Sequence, residues 1–261
     1  MNRRSLIQSV GGAAMLSAMA GDEAQAQAPA RKTRIYRLQY LYQRQGEQGN
    51  RVGRFLSSQM PLLTKNIPAV GVFTTLLGPR MPYTLVLHGF TGLEEMEAAD
   101  ERLRKDAAYQ AAFEEMEKGP EPPYDSAQHV LLRAFDFSPE ITPLTEKPKT
   151  PRVFELRVYH SPTERQFRFL RERFSNNEVA IFHRSGVHPI LYGETIVGPE
   201  MPNLTYLMPF ASLAEREKAW DAFGADPEWV KVRAESITRG GQIVAQSSIT
   251  LLRPAPVSPI Q

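Results

Sequence analysis

Glu155, Arg157 and Tyr159 alternate along one short segment, so a strand running through them sets a carboxylate, a guanidinium and a phenol on the same face. Two readings of that trio stand side by side. In one, an ion pair between neighbouring strand positions satisfies the interior of a barrel. In the other, Arg157 holds an anionic substrate group while Tyr159 or a histidine handles a proton. Tyr36 and Tyr206 are candidates for further lining residues. The histidines are His88, His129, His160, His183 and His188. No two have the spacing of a helical metal site and no carboxylate cluster adjoins them, so no metal centre is expected. His183 falls in the last turn of a helix, where the helix dipole favours a partly positive imidazole. His88 lies in a strand and His188 at a strand entrance, and either can reach a cavity. The candidate pocket is therefore Glu155, Arg157, Tyr159, Tyr36, His88, His188 and Tyr206. Trp220 and Trp229 sit among apolar helical neighbours and read as core.

Other chemistries are excluded by what the chain lacks. There is no cysteine, which removes thiolate nucleophiles, Cys-ligated zinc, iron-sulfur clusters and disulfides. A formal net charge of +2 offers no electrostatic footprint for nucleic acid or an anionic membrane. No Gly-x-Ser-x-Gly, Walker or Rossmann pattern occurs, and the Gly-Pro-x-Met-Pro segments carry prolines where a phosphate loop needs free amides. The sequence thus names no cofactor, and its expected partner is a small-molecule ligand. Self-association is left open.

The elements that must position these residues are spelled out twice. Gly78-Pro79-Arg80-Met81-Pro82 returns as Gly198-Pro199-Glu200-Met201-Pro202, and Phe90, Leu93, Glu95, Ala99 and Asp106 answer to Phe210, Leu213, Glu215, Ala219 and Asp226. In the second half, Val153 to Tyr159 alternates as a strand, with Phe154, Leu156 and Val158 on the apolar face. Ser161-Pro162-Thr163-Glu164 predicts a capped helix start, followed by a buried stripe of Phe167, Leu170, Phe174 and Ile181 and a stop at Gly186. Two strands follow, from His188 and from Leu204, then a helix opened by Ser212, a short helix capped by Asp226 and a last strand over 242–252. The first half runs the same way, with one long helix from Leu93 to Met116.

The order is β-α-β-β-α-β, a ferredoxin-like unit with helices on one face of its sheet. The bare face needs company. Two copies in one chain supply it, predicting an α+β protein in which two ferredoxin-like repeats form an intramolecular dimeric α/β barrel. The mixed faces of Glu155, Arg157, Tyr159 and of Arg37, Gln39, Leu41 are expected to meet inside. The domains read as 33–137 and 152–253, joined by a Pro-rich linker at 138–151, with a tail at 254–261. Residues 1–26 read as a cleaved export signal, with Arg3-Arg4 in a pattern that resembles the twin-arginine signal and Ala24-Gln25-Ala26 as the cleavage site. The expected location is the periplasm or the exterior, and no later apolar run is long enough to span a bilayer.

The strand at Phe154 to Tyr159, the Gly-Pro turn, the Ser212 to Arg216 helix start and the Asp226 to Trp229 segment together resemble the NIPSNAP family. The resemblance covers nearly all of the second half and, more loosely, the first. It implies the dimeric α+β barrel fold, shared with cofactor-free monooxygenases, haem-dependent dismutases and peroxidases, and isomerases. It carries over no catalytic residues. Two functions follow. One is an exported protein that binds or transforms a small molecule in a pocket between sheet and helices of one or both halves. The other is a non-catalytic interaction or scaffold protein of the envelope, presenting the Pro-rich loop from Lys118 to Ser126.

Overall fold

The computed structural model describes residues 32–142, 144 and 146–261; the export signal read at 1–26 and linker positions 143 and 145 lie outside them. The first half runs β1 (Ile35–Tyr42), α1 (Glu47–Asn66), β2 (Ala69–Leu77), β3 (Tyr83–Phe90), α2 (Leu93–Lys105), α3 (Ala107–Glu117) and β4 (Ser126–Ala134). The second runs β5 (Val153–His160), α4 (Glu164–Arg173), a π-helical turn over Phe174–Glu178, α5 (Val179–Arg184), β6 (Leu191–Val197), β7 (Asn203–Phe210), α6 (Leu213–Ala225), α7 (Pro227–Gly240) and β8 (Gln246–Pro254). The two Gly-Pro-x-Met-Pro segments also repeat as backbone. Arg80 and Glu200 both take φ 55°, and Met81–Pro82 and Met201–Pro202 are both cis.

Side-chain caps set the starts of three helices, α3, α6 and α7. Ser212 accepts from the Glu215 amide and starts α6, as its sequence predicts. Asp226 accepts from the amides of Glu228 and Trp229, with Pro227 at the first helical position, and starts α7. That helix is fourteen residues long, not short, and β8 begins correspondingly later. The single helix expected over Leu93–Met116 is two. Asp106 breaks it in an extended conformation and accepts from the Tyr109 amide at 2.8 Å, so a side chain that reads as mid-helix serves as an N-cap. Thr163 rather than Ser161 precedes α4. The Ser161 hydroxyl is spent elsewhere, donating to the Ile243 carbonyl at 2.7 Å.

The eight strands close into one antiparallel barrel in the order β1-β3-β2-β8-β5-β7-β6-β4. The two halves meet at β2–β8 and at β4–β6. Closure leaves no sheet edge exposed. Every strand contributes to one apolar interior, including Tyr36, Leu38, Phe73, Leu85, Leu87, Leu132, Phe154, Leu156, Leu191, Leu207 and Leu252. Helices α1–α3 pack outside on β1–β3, and α4–α7 outside on β6 and β7.

The strand parity is the reverse of the expectation. The apolar faces, Tyr36–Leu38 and Phe154–Leu156, line the interior. Glu155, Arg157 and Tyr159, like Arg37 and Gln39, face the helices. A closed barrel of eight strands has an interior just wide enough to be filled by side chains. Its dry centre takes the apolar set, and polar groups go where helices can bring partners to them. Among the described residues no helix is long and apolar enough to cross a membrane.

Candidate functional site

The reversed parity places the polar strand residues under two helical layers, and the layers treat them differently. In the first half, Arg37 and His88 are direct partners across β1 and β3, and Gln39 stands opposite His129 across β1 and β4. From α2, Asp100 reaches down and takes both Arg37 Nη atoms, at 2.6 and 2.9 Å, in a bidentate pair. Arg37 Nε in turn donates to His88 Nδ1 at 3.4 Å. His88 is only 5% exposed, and its Nε2 has no partner among the described residues. Burial, with Arg37 and His129 nearby, pushes its pKa down to about 3. Burial also lowers His129, which stands at the outer rim.

These groups form the polar wall of a cleft of about 240 Å³ between sheet and helices. Its other walls are apolar and aromatic, formed by Leu41, Leu56, Leu63, Val86, Leu103, Phe55, Phe113, Met116 and Tyr124. The arrangement suits a compact molecule that is held mainly by apolar contact and oriented by a few polar atoms. A haem does not fit it. Pockets for drug-sized ligands run to about 300–1,000 Å³, and a tetrapyrrole is larger than such ligands. No cluster of three or more ligating side chains suited to a metal ion occurs among the described residues.

In the second half the equivalent space is filled. Glu155 stands across from Met208 as Arg37 stands across from His88, and by the same repeat Trp220 takes the place of Asp100. The Arg157 guanidinium lies 3.5 Å from the centre of the Trp220 ring. Glu155, fully buried, accepts from Arg157 and Arg216 and, at 3.2 Å, from Trp220 Nε1. Arg157 Nη1 also donates to the Tyr159 hydroxyl at 3.1 Å. Tyr206 is packed among Phe182, Tyr192, Phe174 and Tyr159, and burial raises its pKa well above the ordinary phenol range. Arg173 and Glu178 add a buried ion pair of 2.7 Å that spans the π-helical turn. Here the carboxylate and guanidinium saturate each other, while the buried hydroxyls of Tyr192 and Tyr206 find no partner among the described residues.

The seven residues named from sequence therefore occupy four places. Glu155, Arg157, Tyr159 and Tyr206 share the filled second layer. Tyr36 lies inside the barrel, where burial raises its phenol to about 12. His188 is exposed and stacks on His183, also exposed, at 5.4 Å between ring centres, and partial desolvation beside His188 lowers the His183 pKa, against the positive charge that a helix end favours. Only His88 lines the cleft. Arg37, Gln39, Asp100 and His129 were not among the candidates. Strand parity carries the signal for three of them, because Arg37, Gln39 and His129, like His88, occupy the non-interior register of adjacent strands. Asp100 carried none, lying mid-helix in a run of charges.

Residues 154–259 match the NIPSNAP family profile. No curated protein matches the chain in sequence. A candidate monooxygenase from Lactobacillus acidophilus superposes with a TM-score of 0.56 at 11% identity, over 86% of this chain and 95% of that one. A chlorite dismutase from Candidatus Nitrospira defluvii gives 0.51 at 10% identity, over 87% and 93%. A NIPSNAP family protein of unknown function from Agrobacterium tumefaciens aligns at 17% identity over 44% of this chain and 97% of its own, with a TM-score of 0.39. The fold is that of the dimeric α+β barrel proteins, here closed within one chain.

Proposed function

We propose that this is an exported protein of tandem NIPSNAP type that binds or transforms a small molecule in the cleft of its first half, while its second half completes the barrel. The observation that carries the assignment is the difference between the two layers. The same strand positions bound an apolar cleft with a few polar groups in one copy, and a self-neutralised ion cluster under Trp220 in the other. Arg3-Arg4 and Ala24-Gln25-Ala26 support export. The fold likeness to a candidate monooxygenase makes oxidation of a bound organic substrate the first activity to assay.

A methyl-labelled fragment screen by NMR tests the location. Hits should move the methyl signals of Leu56, Leu63, Leu103 and Met116 and leave those of Leu204 and Met208 in place. Leu103→Phe, which extends a cleft wall inward, should abolish those shifts at a stability cost of about 1–3 kcal/mol. Shifts confined to the second layer, or a Leu103→Phe protein that binds as well as the parent, would sink the assignment.

A further inference from the structure

We infer that the first-half cleft selects an uncharged ligand carrying one hydrogen-bond acceptor, and that His88 Nε2–H meets that acceptor. This rests on reading the cleft as the ligand site. Arg37 Nε is always a donor, so the His88 Nδ1 that faces it must be the unprotonated nitrogen. The ring proton then sits on Nε2. That N–H is buried, lies on the ring edge away from Arg37, and finds no acceptor among the described residues, although buried donors are satisfied in the large majority of cases. An acceptor on the ligand supplies what the protein does not. Nε2 is closed to solvent in this structure, so the ligand reaches it by shifting side chains of the wall.

The exclusion of charge follows from the groups that face the imidazole. From β1 comes Arg37 and from α2 comes Asp100, each neutralised by the other through two hydrogen bonds. From β4 comes His129, whose lowered pKa keeps it neutral. Arg104, at the rim of the cleft, pairs with Glu97. Among the described residues that line the cleft no charge is left unpaired to receive a carboxylate or a phosphate, and an anion desolvated there would stay uncompensated. Size narrows the class further. An apolar cavity of about 150 Å³ holds a benzene ring, so 240 Å³ admits one or two rings. The ligand class is a small cyclic ketone, quinone or comparably neutral carbonyl compound.

The test titrates the full chain with 1-indanone, indane and indane-1-carboxylate, followed by methyl shifts and by the ¹⁵N signals of the histidine rings. The His88 ring should show the Nε2–H tautomer, its Nε2 signal should move with indanone, and indanone should bind about tenfold more tightly than indane, with the carboxylate weakest. His88→Met, which installs the residue found at the equivalent position 208, should retain indane binding and lose the preference for the ketone. Equal affinity for ketone and hydrocarbon, a preference that survives in His88→Met, or tightest binding of the carboxylate would each overturn the inference while leaving the cleft as a site. Absence of any cleft shift with all three probes would remove the site reading together with the inference.

Discussion

His88 shows how a single position separates two copies of one fold. Its equivalent, Met208, needs nothing from its neighbours, whereas His88 is accommodated by giving up its charge and accepting from Arg37. That has a pH consequence. An unfolded chain protonates this histidine below about 6.5, while the native protein does so only near 3. The unfolded state therefore binds more protons between those values. The contribution is complete above pH 6.5 and is lost as pH falls toward 3, with His129 adding in the same direction. Urea midpoints measured from pH 7 to pH 4 should fall steadily in the parent and more shallowly in His88→Met. A parallel decline in both proteins would mean that His88 is not held neutral.

At the level of elements, the break between α2 and α3 brings the cleft groups into place. Asp106 ends one helix and caps the next, so Asp100 on α2 and Tyr109 on α3 converge on the same strand residues. Removing the cap should loosen that corner: Asp106→Ala should cost about 1 kcal/mol in chemical denaturation. The amides at the start of α3 should lose hydrogen-exchange protection before those of α1. If protection is lost uniformly, the cap is not what holds the two helices in register. The same device recurs at Asp226, where the carboxylate also pairs with Arg184 at 2.8 Å and is held down to about 2.

For the whole molecule, stability resides in the barrel interior that neither half can close alone. Phe73 of β2 and Phe154 of β5 meet at 4.9 Å between ring centres, both fully buried, where the two copies join. Phe154→Ala should cost about 3–5 kcal/mol by urea unfolding and should weaken both halves in one transition. Two separate transitions in the variant would show that the halves are independent. Much of this architecture was legible in the residues themselves. The repeated Gly-Pro-x-Met-Pro turns, the Ser212 cap and the alternation through Phe154, Leu156 and Val158 are local signals, set by backbone preference and by the period of burial, so duplication, element order and barrel class follow from sequence. The direction each strand face takes does not. Alternation separates two faces of Val153–Tyr159 without saying which one turns inward, and that choice came from the cost of burying Glu155 and Arg157 at the dry centre of a closed barrel. Nor does sequence bring Asp100 to Arg37, which lie 63 positions apart and meet only because α2 folds back over β1. Local pattern determined what the protein is built from; long-range packing decided which copy keeps a cleft and which fills it.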